Sequence, residues 1–376
     1  MKLAAAITIV LTVLCTSFIK LPLANQPPAL SIGSKAPDFK LPGTDGKTYS
    51  LASFAKAKIL VIIFTCNHCP TAQAYEDRII KLSADYKSKG VQVIAINPND
   101  PSAIRLDELG YTDLSDSFEE MKIRYKNKHF NFPYLYDGKT QTVSKAYGPV
   151  ATPHVFIFDK NRILRYQGRI DDMEKPSKTP TGFDTRTALD ELLNDKEVTT
   201  NKTKVFGCSI KWAEKSNWIN EYKEKWAKET VELNMIDEAG VKTLLKNESD
   251  KLRLINIWAT WCGPCVTEIP DFINMNRMYR DRDFEFITIS ADDPAAKPKV
   301  EKALKKLQAS GTNYLFSVDN KYKLIDAIDP AWQGALPYTI LVEPGGKIVY
   351  SKQGRIDVAG IKKMIVEDAY IGRFYK

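Results

Sequence analysis

Two pairs of cysteines carry the spacing that reversible sulfur chemistry needs, Cys262-Gly263-Pro264-Cys265 and Cys66-Asn67-His68-Cys69. When a thiol opens a helix and a second lies one turn along, the two can close a disulfide with little backbone movement. At the helix N-terminus the unpaired N–H groups and the helix dipole stabilise a thiolate, the nucleophilic form. Such a thiolate attacks an external disulfide, and the second thiol resolves the mixed disulfide that forms. A permanent structural disulfide and a zinc site are the rival uses of the same spacing.

These thiols have to be positioned by the elements around them. Residues 252–258 form an apolar, branched run of strand length that ends at Trp258, and residues 266–279 read as a helix. Trp261-Cys262-Gly263-Pro264-Cys265 after a strand resembles the active site of the thioredoxin superfamily. The resemblance implies Cys262 as nucleophile, Cys265 as resolving thiol, and Trp261 covering one side of the pair. It also implies a cis-proline loop facing the thiols, for which Pro337 in Leu336-Pro337-Tyr338-Thr339 is the candidate. Gly263-Pro264 is similar to the dipeptide of the reducing members. Cytosolic thioredoxins carry a buried aspartate six residues before the first cysteine, where this chain has Asn256. Glu268 instead matches extracytoplasmic thiol-disulfide reductases of the cytochrome c maturation type, and a carboxylate one turn from Cys265 can take up and return its proton.

The N-terminal pair follows a buried strand at 59–65 and precedes a helix over 70–89. Ser31-Ile32-Gly33-Ser34-Lys35-Ala36-Pro37-Asp38-Phe39 resembles the opening of peroxiredoxins and related secreted reductases. Phe64 to Pro70, Phe132 to Asp137, Thr152-Pro153-His154 and Gly207-Cys208-Ser209-Ile210-Lys211-Trp212 are similar to signatures of secreted redoxin-like proteins of the thioredoxin family. Pro153 is then the second cis-proline candidate. His68 before the second cysteine resembles the periplasmic disulfide-bond oxidant, which implies a more oxidising pair than Cys-Gly-Pro-Cys. Some members of the redoxin-like group have a cysteine just before Thr-Pro; here that residue is Ala151. A peroxiredoxin needs a threonine three residues before its peroxidatic cysteine and a proline nearby. Position 63 is isoleucine and no proline lies in 59–65, so thiol peroxidase is the weaker alternative.

A repeat independent of the cysteines ties the two halves together. Gln167-Gly168-Arg169-Ile170-Asp171 recurs as Gln353-Gly354-Arg355-Ile356-Asp357, 14 residues after Pro153 in one copy and 16 after Pro337 in the other. The expected architecture is α/β, two tandem thioredoxin-like folds, each a central mixed sheet flanked by helices. The expected divisions are an export signal over 1–24, a redoxin-type domain over 25–211, a helical linker over 212–230 and a second domain over 231–376. In the linker, Trp218, Tyr222 and Trp226 fall four apart and form one helical stripe for packing.

At 376 residues, 44% hydrophobic and 27% charged, the chain has room for two such cores. Its net charge of +8 is spread over helical lysines without a stripe of arginines and aromatics, so nucleic acid is not an expected partner. A short positive start at Lys2 and an apolar run over 3–19 read as the export signal, cleaved or kept as an anchor. Without that segment the cysteines are Cys66, Cys69, Cys208, Cys262 and Cys265, two redox pairs and one further thiol rather than the dense framework of a small secreted scaffold. Cys208 is open between buried small residue, intermolecular bridge and third exchanging thiol. The expected function is an exported thiol-disulfide oxidoreductase, periplasmic or secreted, with no cofactor beyond its cysteines. Its partners are disulfide-containing proteins and a thiol electron donor, in solution or in the membrane. The alternative from another class is a substrate-binding or chaperone module in which the N-terminal disulfide is structural.

Overall fold

The computed structural model describes residues 26–173, 175 and 178–374, and the expected export signal lies outside the described residues. The N-terminal half begins with a hairpin, β1 (Lys40–Pro42) and β2 (Thr48–Ser50). Then come β3 (Ile59–Phe64), α1 (Pro70–Lys87), β4 (Val91–Asn97), α2 (Phe118–Lys128), β5 (Tyr134–Tyr136), α3 (Thr142–Tyr147), β6 (His154–Phe158), β7 (Leu164–Gly168) and α4 (Asp184–Leu193). Their sheet runs β5-β4-β3-β6-β7. Every residue of β3 is buried because apolar layers cover both sheet faces. A central strand covered on two sides loses the usual in–out alternation and reads as one continuous apolar run. Its C-terminal end points Cys66 and Cys69 into the interior.

The second half repeats the plan after α5 (Asn217–Ala227). It comprises β8 (Asn234–Ile236), α6 (Glu238–Lys246), β9 (Leu252–Trp258), α7 (Gly263–Tyr279), β10 (Phe284–Ser290), α8 (Lys297–Leu307), β11 (Thr312–Phe316), α9 (Lys321–Ile328), β12 (Tyr338–Val342), β13 (Ile348–Gln353) and α10 (Val358–Glu367). The sheet order is β13-β12-β9-β10-β11-β8. In both halves the strand that delivers the cysteines pairs in parallel with the next strand and antiparallel with the strand after the proline loop. The mixed sheet follows from that arrangement. Both proline loops are cis, at Thr152–Pro153 and Leu336–Pro337.

Three strands carry weak sequence signals. β8 starts later than the apolar run at 231–235 suggests, since Val231 and Leu233 pack beside α7 instead. β5, at a sheet edge, and β11, between β10 and β8, are short strands whose mixed composition carries no strong period. The aromatic stripe is mostly packing. Trp226 is buried with the Arg277 guanidinium 5.1 Å from its ring centre, and Tyr222 carries Arg105 at 4.3 Å. Trp218 at 57% exposure is the exception.

The segment over 98–116 joins the halves. Ile104 and Leu109 belong to the same apolar cluster as Phe272, Met275, Met278 and Tyr279 of α7. Tyr279 Oη donates to the Thr112 carbonyl at 2.9 Å, Arg282 to the Gly110 carbonyl at 2.6 Å, and Arg373 to Asp113 Oδ1 at 2.6 Å. Gly110 is required there, since a Cβ would lie 2.7 Å from the Met278 carbonyl oxygen. Among the described residues no helix is long and apolar enough to cross a membrane.

Candidate functional site

The two cysteine pairs sit in the same place in each sheet and in different electrostatic settings. In the second half, Cys262 is the N-cap of α7 and accepts the Cys265 N–H at 3.3 Å, with Pro264 in the first turn. Proline fits there because its missing N–H has no helical partner to lose. Cys262 and Cys265 are joined in a disulfide with Cα atoms 5.3 Å apart. Asp292 fixes the loop before them, accepting from Thr260 N at 2.8 Å and Thr260 Oγ1 at 2.6 Å. Trp261 is 58% exposed, with the Lys321 ammonium 4.9 Å from its ring, and Gly263 and Pro264 are also exposed. Leu336, preceding cis-Pro337, packs on the cysteine cluster. The pair therefore lies beside an exposed aromatic ring and a proline loop.

Glu268 is buried, not solvated. Its Oε1 accepts the Ile356 N–H at 2.6 Å, and Oε2 has no hydrogen-bond partner among the described residues. Burial pushes its carboxyl above the usual range, with the Ile356 N–H pulling the other way. A folded pKa above the unfolded one leaves the protonated group favourable at low pH, and that advantage is lost as pH rises through the folded value. Glu268→Gln is therefore expected to make the fold more stable at pH 8 while slowing resolution of a mixed disulfide on Cys262, by about a hundredfold if the proton transfer is general-base assisted. Urea melts and single-turnover thiol release measure the two effects. Unchanged resolution would remove Glu268 from the chemistry, and a variant less stable than wild type at pH 8 would contradict the effect of its burial. Asn256, in the place of the thioredoxin aspartate, is engaged with Thr339 Oγ1 at 3.1 Å.

In the first half the helix starts three residues later in the motif. Cys69, not Cys66, is the N-cap of α1, and its sulfur accepts the Ala72 N–H at 3.5 Å. Residues 59–76 are all buried, so both intervening residues of this motif are covered where Gly263 and Pro264 are open. The cover is the 98–116 segment. Asp116 Oδ1 accepts the N–H groups of Asn67 at 2.7 Å and His68 at 3.2 Å, while Oδ2 accepts His68 Nδ1 at 2.6 Å and Asn99 Nδ2 at 2.7 Å. Burial would push the His68 pKa down, but the Asp116 charge and hydrogen bond outweigh it and raise it. Asp116 is held low despite its own burial by His68, Asn99 and Asn67.

The donors in this site thus converge on the second cysteine. Burial alone would raise the Cys69 thiol; hydrogen bonds from Cys208 and Cys66, the His68 charge and the Ala72 N–H outweigh it and hold it well below its ordinary value. Cys66 is pushed well up by burial, by its bond to Cys69 and by the Asp116 charge. Its Sγ lies 3.1 Å from Thr152 Oγ1, at the cis-Pro153 loop. In protonated form Cys69 donates to the Thr152 carbonyl at 3.4 Å. A thiolate absorbance near 240 nm is expected to persist well below the ordinary thiol range of about 8.5 and to vanish in Cys69→Ser but not in Cys66→Ser. The reverse pattern would assign the thiolate to Cys66.

Cys66, His68 and Asp116 present one ligand atom each within 4.8 Å of one another. The set is better described as a hydrogen-bond network, because both Asp116 oxygens are already taken by four N–H donors. A cavity of about 780 Å³ near Lys58, Ile59 and Asp159 lies at the opposite end of β3 from Cys66.

Sequence reasoning named the cysteines, both prolines and Glu268, and the structure gathers them into two centres. It missed Asp116 and Thr152. Asp116 follows His68 by 48 residues in a segment of irregular structure, and spacing gives no means of pairing them. The repeat has a physical role: Gly354 N–H donates to the Pro337 carbonyl at 2.8 Å and Ile356 N–H to Glu268, while Asp171 accepts Tyr75 Oη at 2.9 Å and Arg78 at 2.6 Å. Each copy ties the hairpin after the proline loop to the helix after the cysteines.

Two family models match the chain, AhpC/TSA family over residues 32–167 and Redoxin over residues 225–365. The thiol-disulfide oxidoreductase ResA of Bacillus subtilis (strain 168) is 28% identical over 113 residues, 30% of this chain and 59% of that protein. ResA of Bacillus anthracis is 30% identical over 124 residues, 32% of this chain and 66% of that protein. The chain thus spans 59% and 66% of the length of these two relatives, just under two thirds of the longer match. Among solved structures, a hypothetical protein from Sinorhizobium meliloti 1021 is 35% identical, covering 50% of this chain and 97% of that one with a TM-score of 0.44. An uncharacterized conserved protein from Geobacillus kaustophilus is 38% identical, covering 48% of this chain and 92% of that one, with a TM-score of 0.43.

Proposed function

We propose that this chain, which belongs to the thioredoxin superfamily and carries two of its domains in tandem, is a thiol-disulfide oxidoreductase that works outside the cytoplasm on protein disulfides. The observation that carries this is Cys262 at the N-cap of α7, bonded to Cys265 and flanked by exposed Trp261, Gly263 and Pro264. In the reducing direction, the Cys262 thiolate attacks one sulfur of a target disulfide and the other target sulfur leaves as a thiolate that takes a proton. Glu268 accepts the Cys265 proton, and the Cys265 thiolate attacks Cys262 Sγ. The second target thiol departs, and Cys262–Cys265 has taken the oxidation. A thiol donor restores the dithiol, and no cofactor beyond the cysteines enters the scheme.

The N-terminal pair is the candidate for a more oxidising centre, since an imidazolium and a helix N-terminus favour the thiolate and thus the reduced form. The 98–116 segment docks on the later turns of α7, away from Cys262 at its start, and we assign each centre its own partner. The test is reduction of insulin disulfides by the full chain with dithiothreitol as donor. The proposal expects precipitation of the insulin chains well ahead of dithiothreitol alone; no acceleration would contradict it.

A further inference from the structure

Cys208 is the thiol that the two-pair scheme leaves unused, and its surroundings give it a position in the N-terminal centre. It forms an antiparallel bridge with Thr152, whose N–H donates to the Cys208 carbonyl at 2.9 Å. Thr152 is the residue that both Cys66 and Cys69 touch. The close approach depends on Gly207, with φ of 142°, where a Cβ would fall 2.0 Å from the Thr152 carbonyl oxygen. Beyond it the segment is held in place, with Ile210 buried, Lys211 N–H donating to Asn99 Oδ1 at 2.9 Å, and Asp100 N–H donating to the Lys211 carbonyl at 3.0 Å. Asn99 is itself a donor to Asp116. The Cys208 side chain packs against Cys66, Cys69 and Ala72.

Exposure gives the arrangement a direction. Cys66 and Cys69 are 3% and 0% exposed, whereas Cys208 is partly open to solvent. The residues that follow it, Ser209 to Lys211, line a cleft of about 190 Å³ together with the exposed Trp218. A macromolecular disulfide cannot reach a sulfur with no surface, but it can reach Cys208.

We propose that Cys208 is a third redox thiol, the outer member of a three-sulfur centre in which Cys69 changes disulfide partner between Cys66 inside and Cys208 at the surface. This rests on the oxidoreductase reading above and extends it to the buried site. Starting from a Cys66–Cys69 disulfide, the Cys208 thiol gives up its proton and attacks Cys69 Sγ. The Cys66–Cys69 bond breaks, the Cys69–Cys208 bond forms, and Cys66 leaves as a thiolate that takes a proton. No net oxidation occurs in that step. An external dithiol then attacks Cys208 Sγ and Cys69 departs as the thiolate its site stabilises. The second external thiol attacks the mixed disulfide, so the external dithiol is oxidised and Cys69 and Cys208 are reduced. The sequence runs backwards for reduction of an external disulfide.

The test uses the full chain and its Cys66→Ser and Cys208→Ser variants, equilibrated in a glutathione redox buffer, quenched in acid, alkylated and mapped by mass spectrometry. Wild type is expected to yield both Cys66–Cys69 and Cys69–Cys208 peptides. Cys66→Ser is expected to yield Cys69–Cys208 alone, and Cys208→Ser to lose that linkage while keeping Cys66–Cys69. Full alkylation of Cys69 and Cys208 in Cys66→Ser would overturn the proposal, as would a glutathione adduct that stays on Cys208 without transfer to Cys69. Closure of Cys262–Cys265 in the same samples, with unchanged far-ultraviolet circular dichroism, shows that the variants are folded. If that pair also fails to cycle, the oxidoreductase reading fails rather than the role of Cys208.

Discussion

Cys262→Ser is expected to remove the insulin-reducing activity of the C-terminal centre, a loss on the order of 10³-fold or more, since a serine hydroxyl cannot replace a thiolate whose attack begins the cycle. Cys265→Ser is expected to lose turnover to the same degree by a different route. The Cys262 thiolate still attacks, the mixed disulfide forms, and nothing within reach resolves it. That variant should accumulate a covalent adduct with its target that survives non-reducing electrophoresis and disappears with excess dithiothreitol. The two variants together separate attack from resolution. Equal activity in wild type and Cys262→Ser would move the chemistry away from this pair altogether.

Asp116→Ala is the substitution with the largest expected effect on stability. It removes the charge that keeps the buried His68 protonated and strips the N–H groups of Asn67 and His68 and the amide of Asn99 of their acceptor. Removing one partner of a buried ion pair typically costs about 3–5 kcal/mol. The pH dependence follows from the two shifts. His68 is raised, so its contribution is full below its unfolded value of about 6.5 and is lost as pH rises through the folded value. Asp116 is lowered, so its contribution is full above its unfolded value of about 3.9 and is lost as pH falls through the folded value. The stability gap between wild type and Asp116→Asn, measured by urea denaturation, is therefore expected to be widest between about pH 4 and pH 6.5 and to narrow on either side. A gap that does not vary with pH would mean that His68 stays neutral.

Much of this was legible from the residues. The strand before each CxxC is a run of branched apolar side chains, and such a run at that length has few other uses. The thioredoxin resemblance at Trp261 to Cys265 pointed to an X-Pro just before a strand as the cis-proline, and the paired Gln-Gly-Arg-Ile-Asp segments, 14 and 16 residues after the two candidates, supported the placement. Glu268 was visible as a residue but not as a buried one, since the N–H that its carboxylate meets belongs to Ile356, 88 residues away. The inversion of the N-terminal site was hidden for a related reason. Whether a helix begins after the first or the second cysteine depends on what holds the two residues between them. Here Pro70 sits at the first helical position, and Asp116 pins Asn67 and His68 in the turn before it. A long-range contact set the local geometry, and no period or propensity reports it. Cys208 likewise becomes chemically interesting only when the fold lays it against Thr152.

The central claim is that the chain carries two thiol centres of different character. It is tested most directly by the reduction potential of each, measured in variants that keep only Cys262 and Cys265 or only Cys66, Cys69 and Cys208. The account predicts a C-terminal two-electron couple near the thioredoxin value of about −270 mV and an N-terminal one displaced well to the oxidising side, toward the range of about −120 to −180 mV. Equal potentials would contradict the claim that His68 and the Cys69 helix terminus set the N-terminal site apart. A pair that resists reduction below about −300 mV would be a structural disulfide, and that domain would be scaffold.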